Sequence, residues 1–490
     1  MNLVLTTPEQ HDLVDPTVER NPRRLRRWLD ELPLMNLPES VRLVRQALEP
    51  LNEQRVPPLE RLALLEAYRV TVRKLFMTGG PVGLRQLPMG KAERVRVIED
   101  LEQLCLALAG GYKVVVKALH RETGKQADAL LHGVQGAMEQ LALALVHSYR
   151  YHRPVPPFVF LELHQLYRLV RARGWLDTPA DASGVNPCGH YHAALLLALC
   201  DPFHLPDGVA DQYHRTLLRY AALARILPGG QWDGRGEGQC LLDLGSDSPP
   251  RLCVRLTPPV DADEPYRMDL QPALEAMHRQ LQALHSGQRG QAVEAALLRV
   301  LMPELPRGDA RRAPREADDL RMEMALGLAG VHGRLLRGMD EDGTATAVRV
   351  VDRSEQGMRL CWPDAGPGAV AVGELLGVWA RDGQATLRLG LVRWVRSERD
   401  GSTELGLEWL AGSASAVRYR LADVPAADPL PCLFLPSATR PDGGALLLVP
   451  TGTWQPDQRL LLEVGKREVS VRVVRRLIQT ACIEGFEFAS

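Results

Sequence analysis

Residues 350–360 read VVDRSEQGMRL, and the polar centre of that stretch sets Asp352, Ser354 and Gly357 at fixed spacing, with Arg353 among them. Upstream lies RGDARRAPREADDL, in which Arg311 and Arg315 form an R-x-x-x-R pair. Arg307 and Arg311 overlap it at the same spacing, and Arg312 adds a further guanidinium. Guanidinium forks pair bidentately with phosphate and stack flat on aromatic bases. They also read guanine through O6 and N7. A carboxylate accepts from the N1 and N2 hydrogens of guanine, and a hydroxyl can donate or accept beside it. Glycine lets backbone come close without a Cβ. Brought together, such groups suit a guanine nucleotide carrying more than one phosphate. They offer no nucleophile–base pair, so binding without turnover is expected and the chain is not read as an enzyme. The plain alternative is a solvated turn, since Asp and Ser bond nearby backbone and Gly tolerates positive φ.

The flanking elements must hold these groups. Val350 and Val351 suit a strand, as do Met358 and Leu360 in alternation with Arg359, so a strand–turn–strand is expected there. Pro314 disfavours helix at Ala313, so the arginine segment is expected to be extended or turned. From about Asn21 to Leu227 apolar residues recur at helical spacing, in segments such as ESVRLVRQALEPLNE and PLERLALLEAYRVTVRKLF. No fixed repeat period names a solenoid. Residues 228–290 mix a glycine-rich loop, short strands at QCLLDL and RLCVRL, and a helix, LQPALEAMHRQLQALHSG. A further helix is expected over 291–305. From Asp319 six short alternating segments read as a small barrel. A second set beginning at Pro431 ends, like the first, on a basic VR-type strand and a G-x-E-aromatic strand. This reads as tandem barrels, although β-meanders in general share so simple a pattern. The expected organisation is an all-α domain over 1–228, a mixed connector over 229–305, a barrel over 306–412 and a second, smaller barrel over 413–490.

The chain has 490 residues, 45% hydrophobic and 24% charged, with 59 Lys plus Arg against 60 Asp plus Glu and a net charge of -1. That balance argues against general nucleic-acid binding, which needs a basic field. MNLVLTTPEQHDLVD lacks the pattern of a signal peptide. The longest greasy helical segment, around HAALLLALC, is too short to span a bilayer, so no membrane span is expected. Eight scattered cysteines form no C-x-x-C and read as reduced thiols, which points to a cytoplasmic protein.

On the residues quoted, the first barrel resembles a PilZ domain, the bacterial receptor module for cyclic di-GMP. That family carries R-x-x-x-R before its first barrel strand, matched here by Arg311 and Arg315, and D/N-x-S-x-x-G in a later strand-turn, matched by Asp352, Ser354 and Gly357. The strands GLVRWVR and ELGLEWL are similar as well. The resemblance implies that the arginines hold phosphates and guanine, that Asp352 and Ser354 bond a guanine edge, and that the residue before the pair, Ala310, influences stoichiometry. Arg312 and Arg353 join the expected ligand set as neighbours. One departure is LGLAGVHGRLLRGMDEDG, longer than the usual link between the first two strands and able to reshape the pocket. The second barrel lacks both motifs and is expected to be structural or interfacial. The fold class expected is therefore multidomain α+β, a helical domain followed by a PilZ-like antiparallel barrel and a smaller PilZ-like barrel.

Other candidates carry less. Cys188, His190, His192 and Cys200 look metal-like, but a helix separates them by about 1.5 Å per residue, so capping and core packing are expected. RNPRRLRRWLDEL reads as a solvated amphipathic helix rather than a lipid or nucleic-acid patch. GGQWDGRGEG lacks the features of a phosphate loop, and His332 is expected to pack or cap. The functional expectation is a cytoplasmic cyclic di-GMP receptor, without cofactor or metal. It would pass ligand binding at the barrel to the helical domain and a protein partner there. The alternative is a protein-interaction scaffold with barrels that bind no nucleotide.

Overall fold

The computed structural model describes residues 3–13, 15–121, 124, 126–178, 185–228, 238–253, 264–284, 295, 298–299, 314–338, 346–380, 387–424, 427–437, 444–453, 458–465 and 467–489. The chain divides into two compact units, Met1–Pro202 with Asp207–Asp309, and Phe203–Pro206 with Ala310–Ser490.

The first unit is built on helices α1 (Pro22–Asp30), α2 (Leu37–Glu53), α3 (Pro58–Thr78), α4 (Pro81–Gln86), α5 (Lys91–Leu119), α6 (Ala127–Arg150), α7 (Val159–Ala172), α8 (Pro187–Leu199) and α9 (Val209–Tyr220). Asn21, Asn36 and Asn186 cap α1, α2 and α8, each followed by proline in the first turn, where its missing N–H costs nothing. The long α5 and α6 pair at the centre. Sequence patterning places the longest greasy helical segment at α8, and the longer α6 corrects that reading. It is the one described helix long and apolar enough to cross a membrane, and 83% of its apolar window is buried inside the unit. Its apolar length is spent on a domain core, with Glu139 inside it answered by Arg69 at 2.5 Å. Past α9 the chain turns to sheet: β1 (Arg225–Pro228), β2 (Gln239–Asp243), β3 (Arg251–Leu252) and β4 (Pro265–Asp269), in the order β1-β4-β2-β3, then α10 (Gln271–Ala283). Strands β1 and β4 were not legible as such, because RILP and PYRMD are too short to alternate. The expected helix 291–305 and loop GGQWDGRGEG lie almost wholly outside the described residues.

The second unit holds both barrels. Its elements are β5 (Glu316–Ala317), β6 (Arg321–Leu326), α11 (Gly327–Arg337), β7 (Thr346–Arg353), β8 (Gly357–Trp362), β9 (Leu375–Ala380), β10 (Arg388–Ser397) and β11 (Thr403–Ala411). They continue with β12 (Ser415–Leu421), β13 (Leu430–Leu435), β14 (Leu446–Pro450), β15 (Arg459–Val464), β16 (Arg467–Gln479) and β17 (Ile483–Ala489). Strands β6-β7-β8-β11-β10-β9 close the first barrel, and β5 lengthens the β6 edge of β7; strands β12-β13-β14-β17-β16-β15 close the second. Numbered by chain order within each, both barrels run 1-2-3-6-5-4, so the second repeats the connectivity of the first. Inward residues such as Val350, Leu360, Val392 and Leu407 fill one barrel, and Tyr419, Leu447, Leu460 and Phe486 fill the other.

A third core joins the two barrels. Leu328 and Val331 of α11, with Leu375, Trp379 and Leu389, pack against Leu433, Leu435, Leu446, Leu448 and Ile483. The long link after the first strand is thus a helix, with Leu328, Val331, His332 and Leu335 at helical spacing. His332 bonds the Val417 carbonyl of the second barrel through Nε2 at 2.9 Å. Strand β12 escaped sequence reading because it follows β11 after only Gly412, Ser413 and Ala414.

Candidate nucleotide site

Arg315 of the arginine pair meets Asp352 of the turn motif on the outer face of the first barrel. Val350 points inward, and a bulge between Val350 and Asp352 turns Asp352 outward opposite Arg359 of β8. Ser354, Glu355 and Gln356 make the turn. It is tied by Ser354 N to the Gly357 carbonyl at 2.8 Å, with Ser354 Oγ donating to the same oxygen at 3.3 Å. A Cβ on Gly357 would overlap the Leu407 backbone carbonyl, because β8 and β11 run too close there for a side chain. Its close backbone approach is to its own barrel.

The segment that follows the arginine pair is zipped along β7. Glu316 and Ala317 of β5 pair with Arg353 and Asp352, and Asp318 N and Val350 N bond the carbonyls of Val351 and Leu320. Charged pairs repeat the register: Arg315 Nη1 lies 2.5 Å from Asp352 Oδ1, Arg353 Nε lies 3.2 Å from Asp318 Oδ2, and Arg349 Nη1 lies 3.4 Å from Asp319 Oδ1. Arg315 and Asp352 keep 31% and 20% of their side-chain surface in water, so the pair is open to exchange. Arg311 and Arg312 lie outside the described residues, as do Arg307 and Ala310.

The residues that sequence reading missed lie on the same outer row. Arg359 Nη2 is held by Glu404 Oε2 at 2.6 Å while Nη1 stands 3.8 Å from Asp352 Oδ2. Its guanidinium lies 5.9 Å from the ring centre of Trp394, and the indole of Trp394 occupies the space a Cβ on Gly406 would need. The row thus runs Asp352–Arg359–Gly406–Trp394 across β7, β8, β11 and β10. The signal for it was present: Arg359 alternates with Met358 and Leu360, and Trp394 precedes inward Val395.

The other candidate clusters are accounted for locally. Cys188, His190, His192 and Cys200 are buried on or beside α8. His192 Nδ1 meets the Ala221 carbonyl at 3.0 Å and Cys200 Sγ donates to the Leu196 carbonyl at 3.2 Å. Burial pushes the His192 imidazole down to about 4 and the Cys188 thiol up to about 12. Among the described residues no group of three or more His, Cys, Asp or Glu side chains converges as a metal site.

A barrel of this connectivity, with an arginine-bearing approach strand laid against a D-x-S-x-x-G turn, is a PilZ-type barrel. Known sequences make the assignment particular. Three family profiles match in order: the N-terminal domain of the cyclic-di-GMP receptor FimW over residues 23–229, its middle PilZ domain over 333–416 and its C-terminal β-barrel domain over 416–490. The chain is a PilZ-domain protein, and its three parts match the domains of that receptor in the same order. It is also similar to "Cyclic-di-GMP receptor FimW" of Pseudomonas aeruginosa, 25% identical over an alignment covering 100% of this chain and 93% of that protein. No solved structure matches the chain. The PilZ profile begins inside α11, so it takes in Asp352, Ser354 and Gly357 but not the arginine segment.

Proposed function

We propose that this chain is a cyclic di-GMP receptor that binds its ligand on the outer face of the first barrel and performs no catalysis. The observation that carries the reading is the contact of Arg315, from the arginine pair, with Asp352, from the turn motif, at 2.5 Å, which supports a single site built from both. Without ligand each neutralises the other. A guanine edge takes Asp352 and Ser354, and the freed Arg315 turns to phosphate together with Arg311 and Arg312, with Arg353 at the rim. The three matched profiles, each describing a part of a cyclic-di-GMP receptor, support the choice of ligand.

The arginine segment joins the two units in chain order. We infer that its rearrangement on binding is the signal sent to the helical domain and to a protein partner there, which requires the ligand to favour one of two states. The domain limits 1–228, 229–305, 306–412 and 413–490 and a cytoplasmic location belong to the same reading. Titration calorimetry with cyclic di-GMP on the wild type and on Arg311→Ala/Arg315→Ala tests it. Binding that disappears in the double variant supports the receptor. A folded wild type that takes up no ligand sinks it and leaves an interaction scaffold. Hydrogen exchange in the helical domain, with and without ligand, tests the transmission step.

A further inference from the structure

We propose that the solvent face of helix α1 is a docking surface for an acidic segment of a partner protein. This gives a place and a chemistry to the partner inferred above for the helical domain, and it rests on that part of the reading alone. Helix α1 carries Arg23, Arg24, Arg26 and Arg27 within nine residues. At 3.6 residues per turn the four fall within roughly 160° of arc, with Leu25 and Leu29 on the far side. In the structure all four arginines are exposed, whereas Leu25 and Leu29 keep 1% and 3% of their surface in water. None of the four guanidinium groups has an acidic partner among the described residues. Glu60 of α3, the helix on which α1 packs, is taken by Arg20 at 2.6 Å.

The helix holds these charges against its own stability. Like charges three and four residues apart repel, here Arg23 with Arg26 and Arg27, and Arg24 with Arg27. Arg23 and Arg24 stand in the first turn, which contains no acidic residue, and Asp30 closes the last. The helix macrodipole favours the reverse arrangement at both ends. Helix α2 is the control within the same unit. Its surface arginines are answered by carboxylates, Arg42 by Glu39 at 2.5 Å and Arg45 by Asp100 and Glu49. A surface built only for solubility can pair its charges as α2 does. Helix α1 instead leaves a concentrated positive field open, on a chain whose net charge is -1 with these four included. Carboxylates complement that field, and guanidinium forks take them bidentately. A bilayer is the poorer occupant, because an interfacial helix needs a free apolar face and α1 has buried Leu25 and Leu29 in its own core. Nucleic acid calls for a wider basic field than one short helix. Met35, 94% exposed in the loop after α1, adds one apolar side chain of a type that protein interfaces favour.

The test removes the field and keeps the helix. Full-length wild type, Arg23→Gln/Arg27→Gln, the quadruple variant Arg23→Gln/Arg24→Gln/Arg26→Gln/Arg27→Gln and the charge-matched control Arg42→Gln/Arg45→Gln are titrated against fluorescein-labelled octaglutamate by anisotropy, at low and high salt. Phosphatidylglycerol vesicles and a short DNA duplex are titrated in parallel. The wild type is expected to bind the peptide, less tightly as salt rises. The quadruple variant should lose roughly tenfold or more at low salt and the α1 double variant part of that, while the α2 control stays within about twofold. The melting temperature of the quadruple variant should equal or exceed that of the wild type, since repulsion within α1 is relieved. A clear fall in melting temperature would make the arginines structural and overturn the proposal. So would a wild type that binds no peptide, or equal losses in the α1 and α2 double variants. Binding of vesicles or duplex through α1 in preference to the peptide, or self-association that the quadruple variant abolishes, gives the surface to another occupant and overturns it as well. Cyclic di-GMP titration of the same proteins separates the two readings. A wild type that binds the nucleotide but not the peptide sinks the docking surface and leaves the receptor, and one that binds the peptide but not the nucleotide does the reverse.

Discussion

The two barrels have one connectivity and opposite outer faces. In the first, the row across the second, third, sixth and fifth strands is Asp352, Arg359, Gly406 and Trp394, partly in water. In the second it is Leu433, Leu448, Gly485 and Ile478, with Leu433 and Leu448 at 0% exposure in the shared core. The approach differs as well. The first barrel is entered through β5 and its arginine segment, whereas only Gly412, Ser413 and Ala414 separate β11 from β12, leaving no length for such an arm. The hairpin differs again: Ser354–Gln356 turn tightly between β7 and β8, while residues 436–445 join β13 to β14. A fold that exposes a strand face can use that face for a ligand or bury it against a neighbour. The choice is made by a handful of outward residues that leave the inward pattern untouched.

Exchanging outward residues between the barrels should therefore be strongly asymmetric. Leu448→Arg, which writes the first barrel's residue into the second, puts an unpaired charge into the shared core. It is expected to cost roughly 3–5 kcal/mol or more and to unfold the second unit in denaturant titrations. A loss under about 1 kcal/mol would mean that the barrels part easily and that the shared core is not what holds them together.

Gly357→Ala probes the geometry of the site rather than its charge. The new Cβ would meet backbone, which cannot swing away as a flexible side chain can, so β8 must shift from β11. The expected cost is about 1–3 kcal/mol in stability, with weaker nucleotide binding because the β7–β8 turn moves. The reverse exchange, Asp352→Leu, which writes the second barrel's Leu433 into the first, should behave in the opposite way to Leu448→Arg. The Arg315–Asp352 pair is partly solvated, so its loss changes stability by roughly 1 kcal/mol or less. Cyclic di-GMP binding should fall below detection by calorimetry in the same variant. A large stability loss with binding intact would reverse the assignment and make Asp352 a structural residue.

Much of this was legible beforehand. The inward alternation of LRMEMAL, GMRLCW and ELGLEWL announced the first barrel because it buries one face, and one-face burial gives a period of two. The motif residues Asp352, Ser354 and Gly357 were legible because a turn needs distinctive residue types. What escaped was set by contacts distant in sequence. Arg359 and Trp394 look like ordinary outward residues until pairing through Gly406 puts them on one row. Helix α11 was hidden inside a link because its apolar face is covered by a barrel that starts far downstream. The apolar face of β13 and β14 read as a greasy strand, since CLFL and LLLV are buried on both sides and lose the alternation.

The junction between the barrels supplies the smallest and most local test. His332 is the only histidine in residues 310–490. It is 5% exposed on α11 and bonded to Val417 of β12. Burial holds its pKa below the ordinary value of 6.5, against the Val417 bond, and the nearby Arg418 guanidinium lowers it further. A histidine lowered in the folded state binds its proton more readily once unfolded. Its contribution is therefore complete above about pH 6.5 and is lost as the pH falls from there toward the folded value. The melting temperature of the barrel unit should decline gently across that window in the wild type and stay flat in His332→Gln, whose amide can still donate to the Val417 carbonyl. Buried His164 and His192, each pushed down to about 4, put a stronger dependence of the same sign on the helical unit. Acid should therefore loosen the helical unit before the barrels. Equal pH slopes for wild type and His332→Gln would show that the seam is carried by Leu328, Val331 and the facing leucines alone, with the histidine a passenger on an apolar contact.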